Sequence, residues 1–167
     1  LVEGNALINS IHIAHNEILN HNSEQEMQNK GGTSLIGVAQ AENICTLVSV
    51  GNCSAYLLRN GKLQQVISPD NSELLSSDNH QKSHYTYPMS GLGLFEDVQY
   101  SVKEVRVVEG DFLILMTDGV YSRMEDEEIK YIASNSTWDL SKKIAQLFDL
   151  ANNRGNKDNQ STIFLQF

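Results

Sequence analysis

Apolar positions along the chain change period in a way that divides it into elements. Over Asn5 to Asn20, Leu7, Ile11, Ala14 and Ile18 recur at helical spacing, and Ile8 and Leu19 widen the same face, which predicts a helix. A polar loop follows from His21 to Lys30 and closes on Gly31-Gly32. The period then shortens. "TSLIGVAQ" and "NICTLVSVG" are apolar runs separated by "AEN", which predicts a hairpin. "SAYLLRNGKLQQVI" carries Asn60-Gly61 at its centre, the strongest short signal for a two-residue hairpin turn. Ser68 to Gly93 is polar and contains Pro69 and Pro88, so it is expected to be an irregular connection with a short helix at Ser72 to Ser76. "VQYSVKEVRVV" and "DFLILM" read as strands joined around Glu109-Gly110.

The helical period returns in "MEDEEIKYIAS", whose acidic first turn suits the positive end of a helix dipole. Ser136 with Asp139 resembles a capping box for another helix. That helix would bury Leu140, Ile144, Leu147 and Ala151 and stop at Gly155. "STIFLQF" closes the chain as a strand. Short, hairpin-linked strands flanked by helices predict an antiparallel α+β architecture in one domain, residues 1–167.

"ILMTDGVYS" is the first stretch that carries chemistry: an apolar run stops on Thr117, Asp118 and Gly119. Asp158 stands just before the closing strand. If the two strands are antiparallel neighbours, both carboxylates lie at one rim of a sheet. Such a pair repels unless a cation sits between them, and oxygen donors select hard cations, magnesium or manganese. Gly119 would allow close backbone approach, and Asn159 could support Asp158. Asp-Gly and Asp-Asn are also ordinary turn dipeptides, and spacing alone favours turns.

Composition narrows the classes. The 167 residues carry a formal net charge of −9, which argues against a nucleic-acid surface. Cys45 and Cys53 fit no metal-ligand or redox spacing and read as buried reduced thiols. His12 and His15 lack partners at metal-ligand spacing and read as surface or packing residues. No apolar run is long enough to cross a membrane, and no secretory signal opens the chain, so a cytoplasmic location without membrane contact is expected.

Several stretches, in order, carry a resemblance. "GGTSLIGVA" after the first helix, "VSVGNCSAYLLRNGKLQQVISPDNS", "FLILMTDGV" and "RGNKDNQSTIFLQF" are together similar to successive motifs of the type 2C metal-dependent protein serine/threonine phosphatases, in a bacterial-looking form. The resemblance implies two packed antiparallel sheets flanked by helices, an α/β/β/α sandwich. It implies Mn²⁺ or Mg²⁺ as cofactor and Asp118 and Asp158 as ligands of one metal, with Gly119 and Asn159 behind them. It implies hydrolysis of phosphoserine or phosphothreonine in a protein by a metal-activated water. It also implies a phosphoprotein or a cognate serine/threonine kinase as partner.

The chain departs from the family pattern at several positions. It starts at or inside the first helix, so the family's acidic Asp-Gly-x-Gly-Gly segment and its first strands are not among these residues. No catalytic residue is therefore assigned, and the sheet edge left open is expected to pair with a second copy or a partner strand. Asn52, Ser54, Asn71 and Ser122 stand where the family commonly has Asp, Arg, His and Asp. Asn52 is expected to be a satisfied turn amide. The competing function is that of a catalytically inactive phosphatase-like module that binds or regulates a protein.

Overall fold

The structure is a computed structural model that describes residues 2–74, 85–88 and 90–167. Helix α1 (Val2–Ser23) leads through a short 3₁₀ turn (Met27–Asn29) into β1 (Leu35–Ala41), β2 (Ile44–Val50), β3 (Ser54–Arg59) and β4 (Lys62–Ile67). Strands β5 (Asn71–Leu74) and β6 (Tyr85–Pro88) precede β7 (Ser101–Arg106) and β8 (Phe112–Met116). Helices α2 (Asp118–Tyr121), α3 (Asp126–Ser134) and α4 (Leu140–Asn153) come next, and β9 (Thr162–Gln166) ends the chain.

Two antiparallel sheets result, in the orders β1-β2-β7 and β4-β3-β8-β9, with β5-β6 as a separate pair. The run Phe112–Met116 is apolar without alternation because both its faces are buried. Leu113 and Leu115 pack with Cys45, Leu47, Ala55 and Leu57 between the sheets. Ile114 and Met116 pack with Val120, Ile129 and Leu147 under the helices that follow. On the far side, Val48 and Val50 of β2 pack on Ile11 of α1. The layers are therefore helix, sheet, sheet, helix, the sandwich expected from the sequence.

Local chemistry fixes the connections. Asn60 and Gly61 take φ of 50° and 70°, the left-handed pair that a two-residue turn between β3 and β4 requires. Arg59 at the end of β3 donates from Nε and Nη2 to the buried Asp111 at 2.9 and 2.6 Å, while Val108 N–H donates to the same carboxylate at 2.9 Å. The hydrogen bonds from Arg59 hold the Asp111 carboxyl below the usual range. They tie the β3–β4 hairpin to the loop before β8. His15 is buried; its Nδ1 accepts from Gly93 N–H at 3.1 Å and its Nε2 lies 3.3 Å from the Glu96 carbonyl. His12 meets the Tyr100 ring edge-on with centroids 5.6 Å apart. His15 is thus a packing residue of α1, and His12 is a surface one. Cys45 and Cys53 are buried free thiols, and burial raises the pKa of each. Among the described residues, no helix is long and apolar enough to cross a membrane.

Four expectations need correction. Residues 71–74 form strand β5 rather than the start of a helix, and Leu75 and Ser76 lie outside the described residues. The connection before β7 accordingly holds a strand pair. Helix α4 is capped by Asp139 alone, whose carboxylate accepts from Lys142 N–H at 2.7 Å; the box motif sits one helix earlier, where Glu125 and Glu128 cap α3 reciprocally. Asp118 does not end β8 but opens the single-turn helix α2.

Candidate metal centre

The site is built by register. β8 and β9 pair antiparallel with Met116 opposite Thr162, so the chain leaves β8 where it enters β9. Thr117 N–H donates to Ser161 O at 3.1 Å and continues the ladder by one step. Asp118 follows on the first strand, and Asp158 lies in the loop that leads into the second. Both line a cleft of about 470 Å³ with Asn52, Thr117 and Asn159. They also line a smaller cleft of about 340 Å³ with Ser122, Arg123 and Lys157. The two carboxylates thus form the ridge between two openings.

The loop carrying Asp158 sits directly on Gly119. A Cβ there would come within 2.1 Å of the Asn159 carbonyl oxygen and 3.3 Å of Asp158 Cβ. Any side chain at Gly119 would push the second aspartate away from the first. Asp158 is held from both sides. Asn156 brackets its backbone, donating to Asp158 O at 2.8 Å and accepting from Asp158 N–H at 3.3 Å. Asn159 N–H donates to Asp158 Oδ1 at 2.8 Å. Asn159 therefore acts through its backbone rather than its amide side chain.

Asp118 is half-buried. Its Oδ1 accepts from Gly119 N–H at 2.9 Å and its Oδ2 from Asn52 Nδ2 at 2.7 Å. Its pKa is nonetheless raised, first by burial and then by the charge of Asp158. Asn52 is satisfied, as a turn amide would be, but its partner is a site carboxylate. Tyr121 Oη donates to Asn52 O at 2.5 Å, so the short helix after Asp118 also holds the residue that steadies Asp118. Sequence reasoning did not find these roles for Asn52 and Tyr121. The signal available was an Asn at the β2–β3 turn, where the family resemblance implies an acidic residue.

These donors suit one hard cation. Two carboxylates face one cleft, and the ionised form of Asp118 is disfavoured in a way that a positive ion between the carboxylates would relieve. Each oxygen that accepts a hydrogen bond keeps a second lone pair. Among the described residues, no group of three or more His, Cys, Asp or Glu side chains converges, so the fit is to one ion that keeps most of its water.

Residues 5–163 match the family described as Stage II sporulation protein E (SpoIIE). Solved structures share the fold. Stp1, a serine/threonine phosphatase from Staphylococcus aureus, is 20% identical with a TM-score of 0.82, over 98% of this chain and 67% of that one. The serine/threonine phosphatase of S. agalactiae is 21% identical with a TM-score of 0.79, over 96% and 69%. PppA from Pseudomonas aeruginosa is 22% identical with a TM-score of 0.75, over 92% and 66%. The chain thus spans about two-thirds of the length of these proteins. No curated protein sequence matches it.

The facing carboxylates predict a measurable coupling. Ionisation of Asp118 costs the folded chain stability as pH rises through the interval between the ordinary and the raised pKa. Asp158→Asn removes one of the two causes of that rise. In a carboxyl ¹³C NMR titration without divalent metal, the Asp118 pKa is expected to move down towards the usual range, with burial still holding it above. An unchanged Asp118 titration would show that the two charges do not face each other.

Proposed function

Since this chain belongs to the Stage II sporulation protein E (SpoIIE) family of PPM-type phosphatase domains, we propose that it serves in dephosphorylating phosphoserine or phosphothreonine in a protein, with one Mn²⁺ or Mg²⁺ held by Asp118 and Asp158. The observation that carries this reading is the convergence of those two carboxylates on one cleft at the β8–β9 rim. When bound, the cation would supply positive charge for phosphate oxygens and lower the pKa of a coordinated water. The chain's own residues supply the frame. Asn52 and Gly119 orient the Asp118 carboxylate, while the Asn159 N–H donates to that of Asp158 and Asn156 holds the Asp158 backbone. Arg123 and Lys157 line the second cleft beside both carboxylates and suit the approach of an anionic phosphoprotein.

Two carboxylates and one weakly held cation do not make a two-metal clamp on the phosphate. The 167 residues by themselves are therefore expected to hydrolyse a small aryl phosphate negligibly, even with excess manganese. Supplying the family's acidic N-terminal segment should restore turnover, and Asp118→Ala or Asp158→Ala should then abolish it. Robust manganese-dependent turnover by the 167 residues, absent from Asp118→Ala, would overturn the incomplete-site reading. Activity that is restored but indifferent to both substitutions would overturn the proposed ligands. The alternative, an inactive protein-binding module, is supported by Asn52, Ser54 and Ser122 at positions where the family commonly carries charge.

The same reading extends to the open side of the sandwich. β1 and β9 are edge strands of the two sheets. Between them lies an apolar cleft of about 250 Å³ lined by Leu35, Ile36, Leu115, Met116 and Ile163, and Ile163 is 49% exposed. Unpaired backbone groups beside an apolar cleft favour strand addition. A second copy of the chain is expected to fill this role when nothing else is supplied. Sedimentation should show concentration-dependent association that Ile163→Lys weakens. A monomer at all concentrations would remove the proposed pairing.

A further inference from the structure

The helical layer carries a groove unrelated to the carboxylate rim. Gln146, Asp149, Leu150 and Asn153 lie at i, i+3, i+4 and i+7 on one face of α4, and Glu127, Tyr131 and Ile132 face them from α3. Trp138, from the connection between the two helices, closes one end. The groove encloses about 380 Å³. Its floor is apolar, formed by Ile132 and Leu150. Its wall is an aromatic corner, with Tyr131 and Trp138 edge to face at 89° and centroids 6.5 Å apart. Tyr131 is 66% exposed although it sits in the middle of a regular helix.

The residues that line the groove are acidic or uncharged, and Arg154 and Lys130 pair with two of its carboxylates from outside the lining. Glu128 is committed to Arg154, with both oxygens engaged at 2.5 and 2.6 Å. Glu127 meets Lys130 at 2.6 Å in an exposed i,i+3 pair, which holds its partner only weakly. Asp149 makes no hydrogen bond or ion pair with the described residues. A half-open aromatic corner, an apolar floor and an uncommitted carboxylate together match one chemical group.

We propose that this groove binds an arginine side chain presented by a basic peptide segment of a partner protein. A guanidinium is planar, weakly hydrated and able to stack on an aromatic face while it donates in plane to a carboxylate. Its methylene stem would lie along Ile132 and Leu150. Asp149 accepts from the guanidinium, Tyr131, the more exposed ring, provides the stacking face, and Trp138, perpendicular to it, borders the guanidinium edge. Lysine satisfies the charge but not the stacking. The chain's formal net charge of −9 favours the encounter with a basic partner. The proposal does not depend on phosphatase activity or on a metal.

Trp138 is the only tryptophan in the chain, so fluorescence excited at wavelengths that tyrosine does not absorb reads this groove. The full 167-residue chain is titrated with a short uncharged-background peptide containing one arginine, with its lysine counterpart, and with N-acetyl-arginine amide as the free source of the same group. A saturable change with the arginine peptide is expected, weaker by about tenfold in Asp149→Asn and in Tyr131→Ala, each the loss of one anchor contact. The lysine peptide should bind less tightly, and added salt should weaken binding. Far-UV circular dichroism and sedimentation of both variants should match the parent, since both residues are exposed. No saturable change, equal affinity in Asp149→Asn, or equal binding of the lysine peptide would overturn the assignment. Binding of N-acetyl-arginine amide as tight as that of the peptide would overturn the peptide as its source.

Discussion

The placement of two carboxylates, Asp118 and Asp158, on one cleft is the constraint on which the rim of this fold depends. Burial and Asp158 both disfavour the ionised form of Asp118, yet four separate features hold the pair in place. The β8–β9 register brings the two loops together. Gly119 leaves room for the second loop to rest on the first. Asn52 neutralises neither charge but donates to one, and the Asn156 side chain fixes the other at its backbone. A fold selected for stability alone would place an apolar or neutral residue at one of these two positions. Two carboxylates held at one rim from several directions are what the proposed cation site would need before its ion arrives.

The rest of the architecture follows from the need to present that rim rigidly. β8 is buried on both faces, with Leu113 and Leu115 towards the other sheet and Ile114 and Met116 towards the helices. β8 is one of the two inner strands of its sheet and is packed on both sides up to the rim. Arg59 and Asp111 lock the opposite end of the same strand. The outer strands of the two sheets are β1 and β7, and β4 and β9.

Much of this could be read in the chain itself. The helix at α1, the Asn60-Gly61 hairpin and the apolar run of β8 follow from period and turn chemistry, which give an antiparallel α+β chain; the two-sheet sandwich is implied by the family resemblance. Asp118 and Asp158 each interrupt the polarity pattern beside a strand, but spacing alone favours turns, and the family resemblance makes them candidate ligands. The supporting residues were less legible. Asn52 looks like any turn amide until the fold brings it within 2.7 Å of Asp118, 66 residues away in sequence. Asn159 supports its neighbour through a backbone amide, which has no sequence signature. The strand at Asn71–Leu74 is polar and short, and only its pairing with β6 makes it a strand. Capping of α3 was missed because the reciprocal Glu125–Glu128 pair lies within a run of acidic residues that reads equally well as a helix-dipole signal.

The central claim is that the two rim carboxylates jointly hold one hard cation. Electron paramagnetic resonance of free Mn²⁺ during titration into the 167-residue chain tests it directly. The account predicts close to one weakly bound Mn²⁺ per chain. Asp118→Asn and Asp158→Asn should each weaken binding by at least the ~10-fold typical of losing an outer-shell partner, and Mg²⁺ should compete. Binding that survives either substitution unchanged, or a stoichiometry that does not depend on them, would contradict it.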